Sequence, residues 1–113
     1  MDDLIQKYGI QTLKAIMKRG NKARYSEILE DFPATSGTLS RVLKALEEEG
    51  LIERAVDPNS RPPISYYSVT KKGKKLIASD VIDGMKLFSP ELSEEEREAV
   101  ERWIQHLKQK YGL

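Results

Sequence analysis

Thr35 to Gly50, TSGTLSRVLKALEEEG, admits little besides one amphipathic helix with a defined start and stop. Thr35 or Ser36 supplies a hydroxyl cap for the first unpaired amides, and Gly50 supplies the left-handed residue that ends the helix. At about 100° per residue, Leu39, Val42, Leu43 and Leu46 fall in one sector and must face a core. Gly37, Arg41, Lys44 and Glu48 fall in the opposite sector, with Ser40 beside them.

What flanks this helix narrows the fold further. Upstream, Ser26 is expected to cap a brief helix with Ile28, Leu29 and Phe32 turned inward, closed by Pro33, so only a tight turn separates the two helices. Lys22 to Tyr25 is too short for more than an edge strand. Downstream, Leu51–Val56 and Ile64–Val69 alternate as strands about Asp57-Pro58-Asn59-Ser60-Arg61-Pro62-Pro63, which is strong turn chemistry. The pair predicts a β-hairpin with a long, proline-stiffened tip.

The outer segments read as helices. Leu4, Ile5, Tyr8, Leu13, Ile16 and Met17 mark an amphipathic helix over Asp3–Lys18, ended by Gly20 and Asn21. Thr70 can cap a helix over Lys71–Ile77 that continues past Gly84 toward Phe88, where Ser89-Pro90 breaks it. Ser93 and Glu96 form a capping box for a last helix, along which Val100, Trp103, Ile104, Leu107 and Tyr111 make one stripe. The expected fold is α+β, mostly α: a winged helix-turn-helix with a two-stranded β-hairpin wing and an additional C-terminal helix. Residues 1–88 are read as the winged helix-turn-helix domain and 89–113 as a C-terminal dimerisation element. The stripe follows a core that is already complete, so its side chains need another surface, and a homodimer joined through this helix is expected.

Composition removes several function classes. With no cysteine, the chain has no disulfide, thiolate metal site or thiol nucleophile. The single histidine, His106, falls off the apolar stripe of the last helix and is expected to be exposed. Glu94, Glu95 and Glu96 diverge from a helix start and complement its dipole, so they are not a catalytic pair. No enzyme, metal or cofactor is expected. The acidic N-terminus and the lack of a long apolar run predict a soluble cytoplasmic protein with no membrane association.

Net charge is only +1, but it is unevenly placed: Arg61–Ser79 holds five bases and no acid, whereas Glu91–Glu101 holds six acids and one base. Solvated helix ends are one account of this split. The other is a surface that meets an anion. A recognition helix enters the major groove only if its leading residues are slim and its donors reach base edges. Thr35, Ser36, Gly37, Thr38 and Ser40 meet the first condition, and Arg41 and Lys44 the second. Arg41 suits bidentate contact with guanine and Lys44 a phosphate. Arg54, Asn59, Ser60 and Arg61 would lie on the wing, near the minor groove or flanking phosphates. Lys71 and Lys72 start a helix, where cations are disfavoured unless an anion lies nearby.

The stretches RYSEIL, TLSRVLKALEEEGLIER and RPPISYYSVTKKGKKL resemble successive signatures of HxlR-type winged-helix regulators, and more loosely those of the MarR and PadR families. The resemblance covers about Arg24–Leu76. It implies a transcription regulator that binds double-stranded DNA with Ser40, Arg41 and Lys44 on the recognition helix and Arg61 on the wing. With the homodimer expected from the C-terminal helix, the function expected is that of a repressor, although nothing in the residues separates repressor from activator. The cysteine and Gly-Lys-Trp element of HxlR N-termini are missing, so family-specific sensing does not carry over and no effector is named. The competing expectation is a winged helix used as a protein-contact module of a larger assembly, without DNA. Such a module need not keep small and basic residues on the outer helix face.

Overall fold

The computed structural model describes residues 2–113, as α1 (Asp3–Lys18), β1 (Ala23–Arg24), α2 (Tyr25–Glu30), α3 (Ser36–Glu48), β2 (Ile52–Asp57), β3 (Ile64–Val69), α4 (Lys71–Leu87) and α5 (Glu94–Tyr111). A short 3-10 turn, Ser89–Glu91, joins the last two helices. The two strands of the hairpin pair antiparallel from Ile52↔Val69 to Asp57↔Ile64, and β1 adds to the free side of β3 through Ala23↔Tyr67 and Arg24↔Tyr66. The sheet therefore has three strands in the order β1-β3-β2. The wing is the two-stranded hairpin expected from sequence, and the Lys22–Tyr25 segment supplies its edge partner.

Local chemistry explains where each element begins and ends. Asp2 caps α1 by accepting the Leu4 amide, and Gly20 and Asn21 end that helix with positive φ. Thr35 Oγ1 accepts from the Thr38 amide to open α3, and Gly50, at φ +71°, closes it. Ser26 is not the cap of α2. Arg24 holds that position, its N–H donating to the Glu27 carboxylate at 2.9 Å, because pairing of Ala23–Arg24 with β3 leaves the chain extended until Tyr25. Gly84 does not interrupt α4, which runs unbroken to Leu87.

One apolar cluster ties most of these elements together, with Leu13 and Ile16 of α1, Ile28 of α2, Leu39, Val42 and Leu46 of α3, and Ile52 and Val69 of the hairpin all buried. The distal half of α4 and α5 lie outside this cluster and meet in a thinner seam around Ile82 and Ile104. The molecule is consequently elongated, 55 × 27 × 24 Å, with a radius of gyration of 16.3 Å. A compact domain of this length would have about 13 Å.

The junction between hairpin and α4 is held by several polar contacts. Thr70 Oγ1 donates to the Gly50 carbonyl at 2.7 Å and accepts from the Gly73 amide at 3.1 Å. Lys72 Nζ donates to the Glu49 carbonyl at 2.8 Å, using the partial negative charge at the end of α3. Asn21, in its left-handed conformation, accepts from Val69 N at 2.6 Å and donates to Val69 O at 3.2 Å, as another strand would.

Close approach at this junction requires Gly73. A Cβ there would overlap the Leu51 carbonyl oxygen and come within 2.6 Å of Val69 Cγ1, so backbone would have to move. Gly73→Ala is expected to cost at least about 1–3 kcal/mol in urea unfolding, despite the better helix propensity of alanine. A neutral or stabilising result would show that the junction yields easily.

Candidate nucleic-acid interface

Burial divides α3 as its sequence periodicity does. Leu39, Val42, Leu43 and Leu46 are inside, and Gly37, Ser40, Arg41, Lys44 and Glu48 are exposed. Gly37 is informative because the fold does not require it: its φ is not positive, and an added Cβ would meet only Thr35 Oγ1, at 4.0 Å. Glycine in a helix is unfavourable by about 1 kcal/mol relative to alanine. A residue that weakens the helix and relieves no crowding within the chain points outward for its reason.

The hydroxyls around Gly37 are largely engaged in building the first turn. Thr35 and Thr38 hydroxyls lie 3.0 Å apart, and Ser40 Oγ donates to the Ser36 carbonyl at 3.1 Å. Tyr25, the first residue of α2, reaches the same carbonyl with its hydroxyl at 2.6 Å and lies 3.2 Å from Ser40 Oγ. Sequence reasoning missed this residue. It was placed at the end of the Lys22–Tyr25 edge strand, where its hydroxyl had no assigned partner, because α2 was started at Ser26 instead of Tyr25.

The cations on this side are uncommitted. Among the described residues every ion pair involves Lys14, Lys18, Arg19 or Arg24, and Arg41, Lys44, Arg54, Arg61 and Lys71 make none. Lys72 and Lys74 differ from the rest of the expected basic patch. The ammonium of Lys72 is committed to the Glu49 carbonyl, and Lys74 is half-buried, lining a groove with Met17 and Trp103. Pattern alone could not separate them from Lys71 and Lys75, because the partner is a carbonyl brought in by the fold.

At the wing tip, Asp57 organises the loop by accepting from the Asn59 amide and the Ser60 hydroxyl, both at 2.9 Å. The Ser60 side chain is thus occupied, and the exposed Asn59 and Arg61 are the groups the tip presents outward. Tyr66 lies beneath the Lys22 ammonium, 4.6 Å from its ring centroid, while Tyr67 packs toward the core.

The C-terminal stripe divides as well. Ile104 is 7% exposed within the single chain, so it needs no partner to cover it. Its burial comes from α5 turning back and packing along α4. Val100, Leu107 and Tyr111 are half-buried and Trp103 is 49% exposed. His106 is exposed and stacks on Trp103 at 5.1 Å between ring centroids. Among the described residues no cluster of His, Cys, Asp or Glu could hold a metal ion, and no helix is long and apolar enough to cross a membrane.

The three-helix core, the hairpin and the exposed face of α3 define a winged helix-turn-helix protein. Residues 4–97 match the HxlR-like helix-turn-helix family, and the chain belongs to that family of transcription regulators. The match extends well beyond the Arg24–Leu76 stretch legible by eye, into α1 and the first turn of α5. Over 58 residues the chain is 43% identical to the uncharacterized HTH-type transcriptional regulator YxaD of Bacillus subtilis, covering 51% of this chain and 40% of that protein. Over 71 residues it is 35% identical to a riboflavin kinase of Methanosarcina barkeri, covering 63% of this chain and 30% of the kinase. The chain thus spans less than half the length of these curated relatives. Among solved structures, diamide-treated YodB from B. subtilis superposes with a TM-score of 0.59 at 29% identity, over 80% of this chain and 87% of that one. An S. aureus MepR variant superposes at 0.61 and 23% identity, over 96% and 85%.

The loop at the wing tip is sensitive to acid in a defined direction. The Asn59 amide, then the Ser60 hydroxyl and the charge of Lys22, hold the Asp57 carboxyl below its ordinary range. A depressed value in the folded state stabilises the loop above the ordinary carboxylate pKa, and the effect is lost as pH falls through the depressed one. The Asn59 amide proton resonance is therefore expected to titrate with a midpoint below about 3.9. A midpoint at or above that value would mean that the turn is not held this way.

Proposed function

We propose that the chain is a sequence-specific, double-stranded DNA-binding regulator that represses transcription as a homodimer. The observation that carries this reading is the outer face of α3, where Gly37, Arg41 and Lys44 are exposed, free of ion pairs and not explained by packing. α3 enters the major groove with Thr35, Ser36, Gly37, Thr38 and Ser40 allowing close approach. Arg41 reads a base, Lys44 and Lys71 hold phosphates, and Asn59 and Arg61 at the wing tip reach the neighbouring minor groove or its phosphates. Arg54 lies between α3 and the hairpin, and Lys72 and Ser60 at the edges of this surface. An S. aureus MepR variant that shares the fold is bound to an oligodeoxyribonucleotide, which supports DNA as the partner. Occupying a promoter in this way would repress by excluding other proteins, and the working compartment in this reading is the cytoplasm.

No enzymatic role is assigned. The likeness to riboflavin kinase covers 30% of that protein, and its catalytic function is not carried to this chain.

Residues 1–88 form the reading unit and 89–113 the dimerisation element. Trp103, Leu107 and Tyr111 line an apolar groove of about 230 Å³ together with Met17, Ile77 and Val81. A half-exposed tryptophan beside such a groove, on an arm that extends from the main core, favours coverage by a second copy. Two reading units related by a two-fold axis bind half-sites about one DNA turn apart, and their contacts reinforce one another.

Three measurements test these assignments. Binding of a duplex selected from a random pool should fall steeply with salt, by about 0.9 in log-log slope per phosphate contacted, and a flat response would favour a protein-contact module instead. Arg41→Ala should cost about 1–3 kcal/mol and relax preference at one base position, while Gly37→Leu should keep or raise the thermal unfolding temperature and abolish binding. Retention of full affinity by Gly37→Leu would remove α3 from the groove. Sedimentation equilibrium at micromolar concentration should give a dimer that Trp103→Glu converts to a folded monomer. A monomeric intact chain contradicts the dimer.

A further inference from the structure

Between the outer face of α3 and the hairpin lies a notch of about 260 Å³. Its polar lining comes from Tyr25, Ser40, Lys44, Glu47 and Arg54, with Tyr67 behind. Arg54 sits opposite Tyr67 in the β2–β3 register, and strand alternation turns its neighbours Glu53 and Ala55 to the other side of the sheet. The notch thus contains two cations and one carboxylate, a net charge of +1 from Lys44 and Arg54 against Glu47. Neither Lys44 nor Arg54 has an ion-pair partner among the described residues, Glu47 included.

We propose that this notch seats a single phosphodiester, belonging to the backbone strand that separates the groove entered by α3 from the groove beside the wing. The inference rests on the DNA-binding reading and adds to it a fixed point of contact. A helix in the major groove and a hairpin tip at the adjacent minor groove leave one sugar-phosphate strand to cross the gap between them. The gap in this fold is the notch. One phosphodiester carries the single negative charge that balances its +1.

Arg54 is therefore a backbone clamp placed on a strand, distinct from the residues at the wing tip. Its planar fork can donate two parallel hydrogen bonds to phosphate oxygens. Ser40 lines the notch with its hydroxyl engaged by the Ser36 carbonyl and the Tyr25 hydroxyl, and Tyr25 holds the first turn of α3 through the same carbonyl. A strand-borne clamp fixes how deeply α3 can enter the groove, because neither the strand nor the helix can shift without the sheet.

The experiment pairs protein variants with neutral methylphosphonate replacements placed one at a time along a selected duplex. For the wild-type chain one replacement in each half-site should weaken binding about tenfold, and for Arg54→Ala the same replacement should have no further effect. Arg54→Ala should also weaken all sequences alike and lower the log-log salt slope by about 0.9 per half-site, while Arg54→Lys keeps the slope. Arg41→Ala must remain sensitive to the same replacement, which separates the seat from base reading. Thermal unfolding of each variant guards against loss of fold. If the effects of Arg54→Ala and every methylphosphonate are simply additive, the seat is wrong while the DNA reading stands. If the wild-type chain binds no duplex at low salt, the DNA reading falls and takes the seat with it.

Discussion

The arrangement of helix and wing depends on one small region, where Thr70 and Lys72 take the last carbonyls of α3 and its C-cap loop. Carbonyls at a helix end lack intrahelical donors, and burying them without partners is costly. By supplying donors from the start of α4, the chain joins three elements in a single step: the end of α3, the root of the hairpin and the cap of α4. Gly73 allows the close approach, and Asn21 anchors the end of α1 to the same strand. These directional bonds act together with the hydrophobic core that α3 and the hairpin share, which is itself non-directional, to set the angle between helix and wing.

With that angle fixed, the outward surface is free to be built for a partner. The core consumes the apolar sector of α3 and the inner side of the hairpin, while the densest group of ion pairs centres on Arg19, whose guanidinium meets Glu27, Glu30 and Asp31. Cations near α3 and the wing are left unneutralised. The segregation explains how a chain with a net charge of +1 can present a basic surface.

Much of this was legible in the sequence because short-range rules govern it. The bounds of α1 and α3, the hairpin, the Thr70 cap and the Ser93–Glu96 capping box follow from periodicity, hydroxyl caps and turn residues that act over a few positions. Exposure of Arg41 and Lys44 follows from helical geometry alone. The start of α2 was displaced because pairing with β3, more than forty residues away, decides where the backbone leaves the extended state. The contacts made by Lys72 and Ile104 escape the sequence for a related reason. Each has a partner supplied by tertiary packing, the Glu49 carbonyl in one case and the α4 face in the other, and neither partner leaves a mark on local pattern. Tyr25 belongs with them, since its hydroxyl meets α3 only after the turn has formed.

The unbroken course of α4 has a mechanical consequence. Its seventeen residues make a rod about 25 Å long, gripped at one end by the carbonyls of Glu49 and Gly50 and joined at the other to α5. Moving the far end sideways by about 1 Å turns such a rod by only about 2°, a displacement that its hydrogen bonds at the near end can follow without breaking. The reading helix and the wing share that grip, so they turn together as one body. α4 thus links the α5 seam at one end to the orientation of α3 and the wing at the other, with the Lys14–Asp80 pair to α1 steadying it between them.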